Sequence, residues 1–143
     1  MRLVTAAEMQ EMDRRTIDSF GLPGRLLMEN AGSGATRFLL EQFSGIPMAT
    51  VGIIAGRGNN GGDGFVVARY LCQKGINVRV YLLAKTNAVK GDASVNLNLL
   101  APLGIPIVEI PDENAFSKVN ADMQHIDLWV DAILGTGLKS EVK

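Results

Sequence analysis

The most constraining feature of this 143-residue chain is an apolar run that passes directly into a glycine-rich loop, between residues 51 and 64. The apolar run, Val51 to Ala55, predicts a short buried strand. Five glycines follow around Asn59, Asn60 and Asp63, and helical spacing follows them. Glycine permits positive φ and close approach of a ligand, and a helix N-terminus attracts anions. The stretch therefore predicts a phosphate-binding turn after a parallel strand.

The glycine pattern formally fits a dinucleotide fingerprint but lacks one of its companions. Gly56, Gly58 and Gly61 match G-x-G-x-x-G, which is a weak pattern by itself. An ordinary Rossmann site also has an acidic residue about 20 positions later, which holds the ribose. The second predicted strand, residues 77–84, has no acid at its end. We therefore do not expect standard NAD binding. The informative segment is Asn59 to Asp63, in which Asn59, Asn60 and Asp63 carry oxygen acceptors.

Length and composition favour one soluble domain. A chain of 143 residues can bury about two thirds of its unfolded surface. The formal net charge is −1 with interspersed charges, and no basic stripe predicts binding to nucleic acid. The single cysteine, Cys72, excludes an intrachain disulfide and fits a reducing compartment. No long apolar run predicts a membrane span, and the N-terminus has no signal peptide, so we expect a cytoplasmic protein.

Capping signals and hydrophobic periodicity predict alternating helices and strands. A capping box at Thr5 to Glu8 marks the first helix. Helices are expected from Thr5 to about Phe20 and over residues 25–42, 63–74, 93–103 and 112–121, and strands over residues 49–55, 77–84, 105–110 and 127–134. This alternation predicts an α/β fold with a parallel sheet covered on both faces. Only five residues follow the loop Gly135 to Leu138, so we expect the front part of a larger domain, truncated at the C-terminus.

A strand order of 3-2-1-4 would bring two loops together at one crevice. Ligands bind outside the carboxyl ends of parallel strands, where the strand order reverses. The glycine loop after strand one and the loop from Gly135 after strand four would then face each other. Asp131 lies in the apolar run of strand four, where a buried carboxylate needs a partner or an ion. It is predicted to be either a capped structural acid or, with Asn60, a ligand for a hard cation.

The ordered set of motifs resembles one known family, the YjeF-type N-terminal domain of NAD(P)H-hydrate epimerases. The resemblance covers nearly the whole chain. The residues that carry it are Thr5 to Met9, Leu27 to Gly32, Gly58 to Gly64 with Ala68 and Arg69, Gly91 to Ala93, Asp131 and Ala132, and Gly135 to Leu138. It implies a Rossmann-like three-layer α/β/α sandwich with a mainly parallel sheet, of which residues 1–143 are the N-terminal portion.

The resemblance also implies an activity, a substrate and an ion. The family interconverts the R and S forms, at C6, of hydrated NADH or NADPH, so that an ADP- or ATP-dependent dehydratase, fused or separate, can restore the cofactor. By resemblance, the substrate-binding residues are Asn59, Asn60, Gly61, Gly62, Asp63, Gly135, Thr136, Gly137, Leu138, Lys139, Ser140 and Glu141. A potassium ion is held partly by Asn60 and Asp131. The resemblance is also compatible with a homodimer.

One departure from the family pattern leaves the catalytic residues unassigned. The family continues into an Asp-x-Pro-Ser-Gly-like motif that supplies another substrate-contacting aspartate and a further potassium ligand. This motif does not occur in the chain. No catalytic acid or base is therefore named, and the chain without that part is expected to aggregate or be poorly stable and to lack activity.

Two other classes of function compete with the epimerase. A binding or scaffold module could keep this fold without the reaction, although intact Asn59 to Asp63 and Asp131 favour the enzyme. An ordinary NAD-dependent oxidoreductase is disfavoured, because this chain lacks the acid expected after strand two. Of the remaining reactive side chains, His125 is predicted to be a solvated loop residue and Cys72 a small core residue. Glu29 and Asn30 are predicted either to have a packing or helix-boundary role or to line the pocket.

Overall fold

The chain forms a four-stranded parallel sheet in the order β3-β2-β1-β4, with helices on both faces. The structure is a computed structural model and describes residues 3–137. Its elements, in chain order, are α1 (Ala6–Asp18), α2 (Gly24–Gln42), β1 (Thr50–Ala55), α3 (Asn59–Gln73), β2 (Asn77–Leu82), α4 (Gly91–Asn98), β3 (Ile107–Glu109), α5 (Glu113–Met123) and β4 (Leu128–Ala132). The predicted α/β class and strand order are confirmed.

The core lies between one face of the sheet and α3. Alternate residues of β1, Val51, Ile53 and Ala55, are fully buried. Phe65, Val66 and Ala68 of α3, and Leu71, are equally buried, and α3 packs between α2 and α4. Because α3 is apolar on nearly every side, it is the central helix of this layer. The chain then crosses back from β3 to β4 through α5, which reverses the strand order between β1 and β4.

Glycine allows the layers to come closer than other residues would. A Cβ placed on Gly32 of α2 would lie 2.5 Å from Val66 of α3, and one on Gly64 would lie 2.6 Å from Ala132 of β4. On the other face of the sheet, Gly52 leaves room for the ring of Trp129, which packs against Tyr81 in a tilted arrangement with ring centroids 5.1 Å apart. These contacts hold α2, α3 and β4 tightly around β1.

Several boundaries differ from the sequence prediction. Helix α3 begins at Asn59 rather than Asp63, and α4 begins at Gly91 and ends at Asn98, so Asp92 lies inside the first turn and does not cap it. A short 3-10 turn replaces the last part of the predicted fourth helix. The capping box of α1 is confirmed: the backbone N–H of Glu8 donates to Thr5 Oγ1 at 3.2 Å, and the Glu8 carboxylate accepts from the Thr5 N–H at 2.7 Å.

Candidate functional site

A cleft of about 1020 Å³ opens at the carboxyl ends of β1 and β4, where the strand order reverses. This is the position at which open parallel sheets bind ligands. It brings together residues from both predicted loops, namely Gly56 to Asn60, Asp63, and Gly135 to Gly137. A Cβ on Gly135 would lie 3.1 Å from Cβ of Asn60, so the two loops are in contact. The structure thus confirms that the loops after β1 and β4 face one crevice.

Part of the cleft lining comes from α1, and the sequence did not predict it. Gln10 and Asp13 line the cleft, and Gln10 Nε2 donates a hydrogen bond to the backbone carbonyl of Thr136. Arg57, Leu83, Ile133 and Leu134 complete the described lining. Gln10 and Thr136 are 126 positions apart, and no periodic pattern signals such a contact. Only the polar positions of an otherwise amphipathic α1 could have indicated it.

The first turn of α3 presents free backbone donors to the cleft. The earliest helical hydrogen bond runs from the N–H of Gly62 to the carbonyl of Gly58 at 3.0 Å. Gly58 is the N-cap and provides no side-chain cap. Among residues 3–137, the N–H groups of Asn59, Asn60 and Gly61 therefore have no backbone partner. Unpaired donors at the positive end of a 15-residue helix favour an anion such as a phosphate.

The glycines of the loop serve packing more than ligand approach, which corrects the sequence interpretation. None of Gly56, Gly58, Gly61, Gly62 and Gly64 has a positive φ. A Cβ on Gly61 would collide with the backbone of Gly56, and a Cβ on Gly62 would lie 2.5 Å from the Met28 methyl group. Both residues are buried. The helix start can approach β1 only because these positions carry no side chain.

Gly58 is the glycine where a ligand could come close to the backbone. It is exposed, lines the cleft, and has no atom within 4 Å of an added Cβ. Of the five predicted loop contacts, Asn59, Asn60 and Asp63 direct side chains to the cleft lining, whereas Gly61 and Gly62 lie beneath it. Leu138, Lys139, Ser140 and Glu141 lie outside the described residues.

Asp63 has an unusual electrostatic environment. The side chain is half-buried on the cleft side of α3, and burial raises its pKa to about 6, with a smaller contribution from the negative charge of Asp13. A carboxyl group with such a pKa exchanges its proton near neutral pH, as acid–base groups in active sites do. Asp63 was predicted only as a substrate contact.

Asp131 was expected to be buried, and this is wrong. Its side chain is exposed near the end of β4, and one carboxylate oxygen accepts the N–H of Ile133 at 2.9 Å. The reason is that β4 pairs only with β1 among the described strands, so Asp131 lies on an open edge. The hydrogen bond from Ile133 agrees with the interpretation of Asp131 as a capped acid. Its other carboxylate oxygen accepts no hydrogen bond within residues 3–137.

The donor chemistry for a hard cation is only partly assembled. Asn60 lines the cleft, and Asp131 belongs to the neighbouring strand end but not to the lining. No group of three or more His, Cys, Asp or Glu side chains that could hold a metal occurs in the described part of the chain. A cation here would depend on one amide oxygen, one carboxylate and backbone carbonyls, a set suited to a weakly bound ion.

The other polar residues lie away from the cleft. His125 is exposed beside a smaller polar pocket at the opposite end of the sheet, and Cys72 is partly buried against the core. Glu29 bridges two helices, because its carboxylate pairs with Arg69 and accepts the Tyr70 hydroxyl at 2.8 Å. Within residues 3–137, no helix is both long and apolar enough to cross a membrane.

Comparisons with known proteins agree with this architecture. Residues 24–143 match the family described as YjeF-related protein N-terminus. The chain is 40% identical over 140 residues to the bifunctional NAD(P)H-hydrate repair enzyme Nnr of Moorella thermoacetica, covering 97% of this chain and 26% of that protein. It is 36% identical to the NAD(P)H-hydrate epimerase of Rhodopirellula baltica, covering 98% of this chain and 54% of that protein.

The fold is also similar to a solved structure. The crystal structure of yeast YNL200c superposes with a TM-score of 0.82 at 26% identity, covering 100% of this chain and 60% of that one. The chain thus spans about a quarter of the bifunctional relatives and just over half of the Rhodopirellula epimerase. The strand order, the two facing loops and the extent of these matches lead to one conclusion: the chain belongs to the family of YjeF-related N-terminal domains.

Proposed function

We propose that this chain is the substrate-binding part of an epimerase that interconverts the R and S forms of hydrated NADH or NADPH. The observation that carries the proposal is the cleft at the β1/β4 switch point. It retains Asn59, Asn60, Asp63 and the Gly-Thr-Gly loop, in a chain whose relatives include proteins named NAD(P)H-hydrate epimerase. A scaffold module would not require two loops that present polar groups to a shared crevice.

Several groups of the cleft can contact the dinucleotide. The free N–H groups at the start of α3 bind a phosphate of the pyrophosphate. Gly58 allows that phosphate to approach the backbone, and Arg57 adds a positive charge beside it. The cleft volume of about 1020 Å³ is at the upper end of the usual range for small-molecule sites, which suits a dinucleotide. Asn60 and the loop from Gly135 hold the polar part of the ligand.

We further propose a potassium ion between the loops after β1 and β4. Asn60 and Asp131 would hold it, together with backbone carbonyl oxygens, and the ion would order the two loops and offset negative charge on the ligand. Oxygen donors of this kind suit a hard monovalent cation, and the exposed carboxylate of Asp131 is accessible to it.

The potassium proposal is tested by comparing ions of different size. Thermal unfolding in potassium, sodium and lithium chloride at equal ionic strength should show a higher midpoint in potassium. Asp131→Asn should remove that difference, whereas Asp122→Asn, an exposed acid on α5, should keep it. Equal midpoints in all three salts for the wild-type chain would contradict a specific ion.

The product of the proposed reaction would be consumed by a dehydratase. Several relatives are named bifunctional NAD(P)H-hydrate repair enzymes. A dehydratase that accepts one epimer can use only part of a pool that contains both hydrate epimers, and an epimerase lets it use the rest. We propose that such a dehydratase, fused or separate, is the functional partner, and that the protein itself forms a homodimer.

The central experiment measures epimerisation and binding separately, on the full-length product of the gene that encodes this chain. One hydrate epimer is purified and its conversion to the other is followed by chromatography at a temperature where spontaneous exchange is slow. Asn60→Ala should weaken binding of the hydrated dinucleotide, measured by calorimetry. Asn114→Ala, an exposed asparagine on α5, is the matched control. Tight binding without any conversion would favour a non-catalytic binding module.

A further inference from the structure

The cleft contains very few groups that can exchange a proton. The proposed reaction requires one group to protonate a leaving hydroxyl and another to deprotonate an incoming water. The described lining includes no His, Cys, Lys, Tyr or Glu side chain, and its carboxyl groups are Asp13 and Asp63. His125 and Cys72 lie elsewhere. Any acid or base that residues 3–137 supply must therefore be Asp13 or Asp63.

The two carboxyl groups come from different elements and meet in the same cleft. Asp63 lies in α3, at the floor, and Asp13 lies on α1, whose Gln10 is bonded to the Thr136 carbonyl. Neither carboxylate has an ion-pair partner among residues 3–137. Like charges without a partner are unfavourable, and two carboxyl groups in one site ionise in succession rather than together.

The position of α1 supports a role in the cleft rather than in the core. No residue of α1 is buried, so the helix adds little to the hydrophobic core. Its helical start is nonetheless fixed by the capping box at Thr5. It also lies before residue 24, where the match to the family begins. A helix that contributes so little to the core but ties itself to a site loop is suited to completing the site.

We infer that Asp13 is a further catalytic residue of the proposed epimerisation, acting with Asp63 as a two-carboxyl acid–base pair whose members line the same cleft from α1 and α3. This inference rests on the proposed function. Asp63, the more buried of the two, acts as the acid, and Asp13 acts as the base. A pair of carboxyl groups divided in this way between acid and base is how glycosidases act on the two faces of a sugar ring.

The proton movements balance without an oxidant or a reductant. The C6–O bond of the hydrated ring breaks and its electron pair leaves with the oxygen, which takes the proton of Asp63 and departs as water. The lone pair of the adjacent ring nitrogen forms a C=N double bond. A water then adds to C6 from the other face, and its proton passes to Asp13. Return of this proton from Asp13 to Asp63 restores the starting state, and in the reverse direction Asp13 gives the proton and Asp63 accepts it.

The raised pKa of Asp63 agrees with this division of roles. Burial raises it to about 6, and the charge of Asp13 adds to the effect. The other charged side chain in the described lining of the cleft is Arg57, on the adjoining loop. The described part of the loop after β4 brings no charge. Asp13 is therefore the group whose removal should change the titration of Asp63.

The test compares Asp13→Asn, Asp63→Asn and the control Asp18→Asn in the full-length gene product. Asp18 is an exposed acid on the same helix, so its change alters charge equally outside the cleft. The first two variants should lose at least about 100-fold in kcat with little change in KM. The wild-type rate should fall as the pH rises above about 6, and Asp13→Asn should move residual activity to lower pH.

Two further measurements separate this inference from the proposed function. Carboxyl NMR titration of Asp63 should show a lower pKa in Asp13→Asn than in the wild type, and thermal unfolding should show all three variants folded. A wild-type protein that neither binds nor converts the hydrate would overturn the proposed function. A wild-type protein that converts it, while Asp13→Asn keeps the wild-type kcat, would overturn the role of Asp13 and leave the proposed function intact.

Discussion

At the scale of single residues, the glycines of the loop after β1 divide into two kinds. Gly61 and Gly62 are buried and fill positions where any side chain would strike Gly56 or Met28. Gly58 faces open space in the cleft. A sequence shows five equivalent glycines, and only the packing around each reveals which serves the fold and which is left for a ligand.

This division predicts that two similar substitutions change different properties. Gly61→Ala should lower stability, and Gly58→Ala should mainly weaken ligand binding. Gly61→Ala should destabilise the protein by about 3 kcal/mol, because the added methyl group meets backbone that cannot move aside. Gly58→Ala should cost less than about 1 kcal/mol, since its φ of −94° suits alanine and only the N-cap preference is lost. Urea unfolding measures the first effect.

The effect of Gly58→Ala on ligand binding is measured by titration with a dinucleotide. Gly58→Ala should weaken binding of NADP several-fold or more, because the methyl group occupies the space in front of the free N–H groups. Gly34→Ala provides a control, since an added Cβ there also meets open space but lies on α2. Unchanged affinity in Gly58→Ala would mean that the phosphate does not bind at the start of α3.

A second prediction at this scale concerns pH. Asp63 binds its proton more tightly in the folded than in the unfolded state, because burial raises its pKa to about 6. The folded protein therefore loses stability as the pH rises from about 4 to about 6, by about 1 kcal/mol after allowance for its partial exposure. Asp63→Asn should abolish this loss. Urea unfolding at several pH values measures it, and a fall that persists in the variant would assign it to other groups.

At the scale of elements, α2 and α3 are joined by a polar contact within an apolar interface. Glu29 receives Arg69 and the Tyr70 hydroxyl, and Arg69 is largely covered. The sequence left Glu29 between packing and lining the pocket, and the structure decides for packing between helices. Removing one partner of a largely buried ion pair leaves the other charge uncompensated.

We therefore expect Glu29→Gln to destabilise the fold by about 2 kcal/mol while the cleft keeps its ligand affinity. Glu11→Gln is the matched control, since Glu11 pairs with Arg14 and Arg15 on the exposed side of α1 and its loss should change stability far less. Chemical unfolding and dinucleotide titration of both variants check this. Equal losses would mean that the α2–α3 contact is not special.

The elements themselves were largely predictable from the sequence, and their ends were not. Apolar runs such as Val51 to Ala55 marked every strand. The order 3-2-1-4 rests on what is common in open parallel sheets. The start of α3 was missed because Asn59 to Gly62 are poor helix formers, and the contact of Gly61 with Gly56 fixes that turn. The cleft loops were predicted, but Gln10 and Asp13 reach them only through tertiary structure.

At the scale of the whole molecule, the open edge of β4 dominates. Among the described strands β4 pairs only with β1, and its Trp129 remains 38% exposed. An unpaired edge with apolar side chains promotes association between chains. Asp131 places one charge on this edge, which is a modest safeguard.

Residues 1–143 alone should therefore associate as their concentration rises. Light scattering after gel filtration measures the association. Trp129 is the single tryptophan, so its fluorescence emission should shift to shorter wavelength as the edge becomes covered. A monomer with unchanged emission would show that β4 needs no further partner.

The tight packing beneath the glycine turn has a consequence for how the site responds to a ligand. The start of α3 is held against β1 and β4 before anything binds, so its backbone has little disorder left to lose. Binding there should carry a small entropic penalty and proceed without rearrangement of the phosphate-binding turn. Adaptation to ligands of different shape then falls to α1, which has no buried residue and can shift at little cost. The start of α3 is therefore the rigid part of the site, and α1 is its adjustable part.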